Sequence, residues 1–362
     1  MAARAEQYQL ALERTSDVIR SFDGHVSEEL LLCLCGLSTY SGDIAPAVAQ
    51  PHPISPLATA QSIHMFGNIK LIPEHLRVLR YLTNLKGGLQ AVFEYGNMDN
   101  IEMVDLFAAS RTDDKPALRW VRGPSKLYTP VQTDLEPSQT LGHRLRIISE
   151  VDDDLHGLFV LAFKATRALE YYTPGSTDLR LFRSLVIARN ETQHGLLSLK
   201  RLSDTDGLTE RGILFEVCRL SGLIYNDLVL YPLPYSTGVK PRLARQLYEV
   251  LQTSHMGDLW NSDFHELLIW ACFMGEIAAR RTKNHGWFVT TLLEITSIKT
   301  LDKEGFIDLM QSFLWWDYVC LPPALFLWEH LQEARKRTEF RWTKSGKRVR
   351  NTDKISSFLG TF

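Results

Sequence analysis

Apolar residues recur along this chain at spacings of three and four, and almost nowhere at a spacing of two. Residues three and four apart share one face of a helix, whereas a half-buried strand needs strict alternation. The expected fold class is therefore all-α. Leu76, Leu79, Leu82 and Leu85 form one such stripe. Pro73 opens it at a position where a missing N–H costs nothing, and Gly87-Gly88 ends it. Ser27-Glu28-Glu29 opens a helix through Leu37, and Asp152-Asp153-Asp154 is the acidic start of one running towards Tyr172. The same periodicity predicts helices over 57–69, 102–109, 179–202, 209–230, 241–253, 264–281, 285–297, 303–316 and 324–337. Pro232 and Pro234 stop the chain after Leu230. Two stretches read as irregular. One is 41–56, with its four prolines; the other is 111–139, rich in Pro, Asp, Thr and Ser and expected to be a flexible surface loop. One all-α domain over residues 1–334 and a basic tail over 335–362 is the organisation this implies.

The chain has 362 residues, 45% hydrophobic and 23% charged, which is ample for a buried core. A formal net charge of −2 argues against a surface built as a whole to bind polyanions. Five cysteines, an odd count mostly set in apolar runs, fit a reducing compartment in which thiols pack as small hydrophobes. The first twelve residues lack the apolar core of a secretory signal. The most apolar run, 313–328, is broken by Asp317 and Pro322-Pro323 and is shorter than the roughly 20 residues that span a bilayer. A soluble intracellular protein without membrane partners is the expectation.

Motifs of known chemistry are missing. Cys33 and Cys35 have no second pair at zinc spacing, and residues two apart on a helix point in different directions. His265-Glu266 begins like H-E-x-x-H, but Ile269 stands where the second histidine belongs. Asp152 to Asp154 read better as a helix N-terminus than as a cation site. No glycine-rich phosphate loop and no G-x-S-x-G elbow occur. His64, His75, His194 and His285 are scattered. The sequence therefore supplies no catalytic, cofactor-binding or metal-binding residue.

Two features stand out. Aromatic residues crowd the last third, among them Trp270, Trp287, Phe288, Trp315 and Trp316. Gly275, mid-helix at a cost in propensity, suggests close helix packing there. The plain reading is an aromatic core; the functional one is a face or pocket for a partner or effector. The second feature is the tail, where Lys336-Arg337 and Lys347-Arg348 resemble a two-part basic nuclear import signal. A solvated charged tail is the bland alternative.

Five segments, taken in order across about residues 25 to 330, resemble the regulatory domain that follows the zinc-cluster DNA-binding module in ascomycete fungal transcription factors. They are His75 through Leu89 with its GG turn; Ile101 to Leu118, with Asp105, Ala108-Ala109 and Lys115-Pro116; and Asn190-Glu191-Thr192-Gln193-His194-Gly195-Leu196-Leu197-Ser198-Leu199. The fourth is Glu216-Val217-Cys218-Arg219-Leu220 through Tyr231-Pro232-Leu233-Pro234 to Arg242-Leu243-Ala244. The fifth joins Leu267 to Gly275, Trp287-Phe288-Val289 and Phe313-Leu314-Trp315. The resemblance implies a multi-helix orthogonal or solenoid-like bundle, a nuclear location and a role in RNA polymerase II transcription. It also implies work through protein partners (a homodimer, coregulators or a DNA-binding transcription factor) and a small-molecule effector. It carries over no catalytic residue.

The family's DNA-reading module needs six clustered cysteines, and here they are too few and too scattered to hold two zinc ions. Either the module is cut off upstream or it is lost, and this polypeptide is expected not to read bases itself. The alternatives from other classes are an all-α secondary-metabolism enzyme of terpene-cyclase type, with Asp152-Asp153-Asp154 its one candidate motif, and a non-catalytic helical adaptor.

Overall fold

A computed structural model describes residues 2–39, 49–92, 96–131, 134–173, 177–200, 209–253, 259–295 and 301–345. Its regular structure is entirely helical among these residues: the protein is all-α. The helices are α1 (Ala2–Arg20), α2 (Glu28–Ser38), α3 (Pro73–Lys86), α4 (Asn97–Thr112), α5 (Ile147–Val151), α6 (Asp153–Leu169) and α7 (Leu179–Ser198). They continue as α8 (Glu210–Val229), α9 (Val239–Leu251), α10 (His265–Ala279), α11 (His285–Glu294), α12 (Lys303–Gln311) and α13 (Asp317–Ser345).

Local sequence sets most of the ends. Side-chain oxygens satisfy N–H groups that a helix start leaves without partners. Ser27 Oγ accepts from Leu30 N at 3.2 Å, Asp152 Oδ1 from Leu155 N at 2.8 Å and Asp302 Oδ1 from Gly305 N at 2.8 Å. Helix α3 starts on Pro73 and ends on Gly87, whose φ of 114° only glycine adopts without strain. Gly88 N then closes the turn onto Thr83 O at 2.8 Å.

Helix α8 is the axis of the fold. Every residue from Val217 to Val229 is buried, and α6, α7, α9 and α10 pack around it. A helix apolar or neutralised on all sides belongs at the centre of a bundle. A second, smaller apolar cluster lies between α2, α3 and α4, with Leu30, Leu31, Leu34, Leu76, Leu79 and Leu82 at its centre. Helix α4 joins the two. Ile101, Val104 and Ala108 face the small cluster, while Leu106, Phe107 and Ala109 face the large one.

Three expectations need correction. Residues 57–69 are not an α-helix: a 3-10 segment, Pro56–Asn68, is broken at Ala60, Gln61 and Ser62. Gln61 and Ser62 have φ of 49° and 58°, and a guanidinium from α7 takes the carbonyls that a continuous helix would have used. Helix α12 stops at Gln311 rather than 316, where Ser312 N–H folds back onto Asp308 O and Leu309 O. The last helix starts at Asp317, not 324, and runs through Pro322 and Pro323. Burial of Val319, Cys320, Ala324 and Leu327 on one face holds it across the lost backbone bonds. The stretch expected to be a loop has no helix between Thr112 and His143 among the described residues, yet it is fastened to α7. Ser125 N donates to Glu191 at 2.9 Å and Tyr128 N to Ser184 Oγ at 3.2 Å. No described helix is long and apolar enough to cross a membrane.

Candidate functional site

The chemistry of the interior starts with a cation in the buried central helix. Arg219, midway along α8, is fully buried. An ion taken out of water needs close counter-charges that also satisfy its N–H groups. Arg219 has them on two sides. Nη1 and Nη2 reach the two oxygens of Asp113 at 3.0 and 3.1 Å, and Nε and Nη2 reach Glu216 at 2.9 and 2.7 Å. Burial alone lowers the affinity of the guanidinium for its proton, but these bonds outweigh it and hold the group ionised, above its ordinary range. Asp113 caps the end of α4 in a left-handed conformation, φ 57°, and also accepts from Gln246 Nε2 at 3.1 Å.

The network continues along α8. Gln193 of α7 donates to Ser110 Oγ at 2.9 Å and accepts from Asn226 Nδ2 at 2.6 Å. Arg242 Nη2 donates to Ser110 O at 2.6 Å. Next to Asn226, the buried pair Asp227–Lys240 spans 3.2 Å. Lys240 Nζ donates to Leu233 O at 2.6 Å, and Leu233 N to Asp227 Oδ1 at 2.9 Å. Burial raises Asp227 to about 6 against the pull of Lys240, and it lowers Lys240. Three of the five segments that carry the family resemblance thus meet in one seam between α4, α7, α8 and α9.

A separate cluster ties α10 to α11 and α13. Glu276, buried, accepts from Arg280 Nε at 3.2 Å and pairs with His285 Nε2 at 2.9 Å. Arg280 also stacks on the Phe326 ring, 5.1 Å from its centre, and its Nη2 reaches Pro323 O at 3.4 Å.

The sequence-predicted aromatic residues divide by depth. Trp270 and Phe288 are fully buried. Trp270 stacks on Phe313 at 5.6 Å, meets Phe159 edge-on at 5.9 Å and donates Nε1–H to Leu314 O at 3.0 Å. Trp315 stacks on Phe273 at 5.9 Å and is nearly buried. Trp287 is half-buried between Tyr248 and Phe288, and Trp316 is half-buried beside the exposed Tyr318. Their ring contacts fall into separate groups, around Trp270, around Trp315, around Trp287 with Phe288, and at Trp316 with Tyr318. A cleft of about 530 Å³ does open nearby, between the start of α10 and the end of α11. It is lined by Trp260, His265, Thr291 and Glu294, and by none of those five rings.

Asp152 is the cap of α6, and Asp153 and Asp154 are exposed in its first turn. Among the described residues no group of three or more His, Cys, Asp or Glu is arranged to hold a metal ion. Cys33 is exposed and Cys35 buried, on different sides of α2, and burial pushes the Cys35 thiol up to about 11. His194 bridges Leu118 O at 2.9 Å and Ser198 Oγ at 3.2 Å. In the tail, Lys336 is exposed on α13, and Arg337 is in the same helix; Lys347 and Arg348 lie outside the described residues.

Sequence reasoning missed the buried charges Arg189, Asp227, Lys240 and Glu276. A signal existed for each: a charged residue standing in a run or stripe of apolar ones, as Arg189 does between Leu185, Ala188, Thr192 and Leu196. Comparison with protein families found no matching family, and comparisons with curated proteins and with solved structures found no significant match.

Proposed function

We propose that this chain is a regulatory domain of the fungal transcription-factor type, acting in the nucleus on RNA polymerase II transcription through partner, dimer or effector contacts. The observation that carries the reading is the convergence of the resembling segments. Asp105, from the second, accepts from Leu118 N at 2.9 Å and pairs with Arg80 at 2.6 Å, which lies in the first. Gln193, from the third, bonds Asn226 in the fourth. Arg242, also in the fourth, bonds the carbonyl of Ser110, within the second. The last of these bonds joins segments 132 residues apart in sequence, which supports reading them as parts of one fold. Of the two forms that the resemblance implies, the packing of α6, α7, α9 and α10 around α8 supports the bundle.

The charges of the seam are neutralised by one another, which suits a rigid scaffold that presents surfaces and suits proton-transfer chemistry poorly. The test is to tether the chain to a heterologous DNA-binding module upstream of a reporter in a fungal cell. The expected result is a change in reporter transcription. An unaltered reporter at matched expression would sink the reading. A fluorescent fusion is expected to accumulate in the nucleus and to lose that preference when Lys336, Arg337, Lys347 and Arg348 are replaced by alanine.

A further inference from the structure

Arg189 is the second arginine without solvent exposure in the bundle, and its surroundings differ from those of Arg219. No carboxylate pairs with it among the described residues. Its Nε donates to Asn190 Oδ1 at 3.3 Å, Nη1 to Leu57 O at 3.2 Å, and Nη2 to Ala60 O at 3.3 Å and to Gln61 Oε1 at 2.7 Å. All four acceptors are neutral, and three of the four bonds are long for a cation, whose bonds to anionic acceptors contract to about 2.7–2.9 Å. The ionisable groups that act on it are the phenols of Tyr231 and Tyr172. Tyr231 lies with its ring 5.6 Å from the guanidinium carbon. Its hydroxyl is buried and has no hydrogen-bond partner among the described residues. Glu102, the nearest carboxylate along the network, is already engaged by Arg122 Nε and Asn190 Nδ2 at 3.1 Å each.

The cover over this guanidinium is thin and strained. Gln61 is half-buried and Ser62 exposed, so a single turn separates Arg189 from solvent. Both residues hold left-handed backbone, a conformation that non-glycine residues adopt at a cost and that marks sites where strain is stored. The side chain that this turn inserts is a planar primary amide. Its oxygen accepts from both Arg189 Nη2 and Asn190 Nδ2, the latter at 3.3 Å.

We propose that Arg189 anchors a binding site for a small carboxylate ligand, held shut in this structure by the Gln61 side chain, which the ligand displaces. A primary amide and a carboxylate have nearly the same shape, so the head group of Gln61 is a neutral stand-in for the anion. A carboxylate in its place would face the Arg189 Nη2 and Asn190 Nδ2 donors that Gln61 Oε1 now accepts from, and the unpartnered hydroxyl of Tyr231, whose ring lies beside the guanidinium, is a further donor. Burial, which pushes Arg189 down to about 10, is the cost that such an anion would offset. Displacing Gln61 would also free Gln61 and Ser62 from their left-handed backbone. The site rests on Arg189 and its neighbours, and it stands whether or not the chain acts in transcription.

Calorimetric titration of the chain with succinate tests this. Wild type is expected to bind saturably at millimolar concentration. Gln61→Ala, with no stand-in to displace, is expected to bind about ten-fold tighter. Gln61→Glu places a tethered carboxylate on Arg189, so it is expected to raise the thermal midpoint and weaken succinate binding about ten-fold or more. Tyr231→Phe removes only an unpartnered hydroxyl; it is expected to melt like wild type and bind more weakly. Four outcomes each overturn the assignment: no saturable binding to wild type and Gln61→Ala; equal binding to wild type and Arg189→Met; undiminished binding to Gln61→Glu; or equally tight binding of inorganic phosphate.

Discussion

Arg219 and Asp113 stand 106 residues apart in sequence and meet through two parallel hydrogen bonds of 3.0 and 3.1 Å, sealed from solvent. The pair fastens the end of α4 to the middle of α8, and Glu216 adds a second carboxylate to the guanidinium from the preceding turn.

Removing the arginine leaves buried Glu216 without its counter-charge and Asp113 with only the more distant Arg242, 3.8 Å away. Arg219→Met is expected to cost about 3–5 kcal/mol, enough to unfold the chain or lower its denaturation midpoint sharply. The same change at Arg20, whose pairing with Asp17 is exposed, is expected to leave the midpoint where it is. Chemical denaturation of the two variants side by side checks this.

Gly275 sits against Phe288 so closely that a Cβ on it would overlap the ring. Alanine favours a helix over glycine by about 1 kcal/mol, but forcing atoms into a filled core costs about 1–3 kcal/mol. Phe288 is fully buried and cannot swing away, so Gly275→Ala is expected to be net destabilising. Pairing it with Phe288→Leu is expected to recover part of the loss. A double-mutant cycle in which the two changes simply add would refute the contact.

The tryptophans should separate by depth. Trp270→Ala removes a buried ring and leaves Leu314 O without its donor, at an expected cost of about 3–5 kcal/mol. Trp316, half-buried next to Tyr318, is expected to tolerate alanine with a small change in melting while weakening partner contacts. Melting curves and the tethered-reporter readout distinguish the two. Partner contacts unchanged in a folded Trp316→Ala chain would exclude that face.

His52 gives a pH dependence. It is buried, its Nδ1 bonds Pro53 O at 2.8 Å and its Nε2 has no partner among the described residues. Burial first, and then the charges of Lys240 and Arg280, push it from 6.5 down to about 4. Between those values the unfolded chain binds a proton that the folded chain refuses. The contribution is therefore fully present above pH 6.5 and lost as pH falls towards 4, amounting to about 3 kcal/mol at most. Asp227, raised from 3.8 to about 6, acts in the opposite sense over much of this window. The clean measurement is consequently a difference. His52→Gln is expected to lose less stability than wild type between pH 7 and pH 4, and parallel curves would show that His52 does not titrate in this way.

What the sequence determined by itself is local. Ser27, Asp152, Pro73 and Gly87 mark helix ends because capping and φ preference act within a few residues, and the three- and four-residue spacings require helices. Even so, Leu76, Leu79 and Leu82 are buried while Leu85 is exposed, because steps of three drift around a 3.6-residue helix until the fourth residue faces the other way. The aromatic third was legible as a cluster, whereas the depth of each ring was not. Tertiary structure alone decided that Asp113 meets Arg219, that α13 runs through Pro322-Pro323, and that residues 60–62 leave the helix to serve Arg189. Each of these is a case in which burying a charge or an apolar face outweighs local preference. The partners that make such burial favourable come from distant parts of the chain, and spacing along the sequence does not record where they meet.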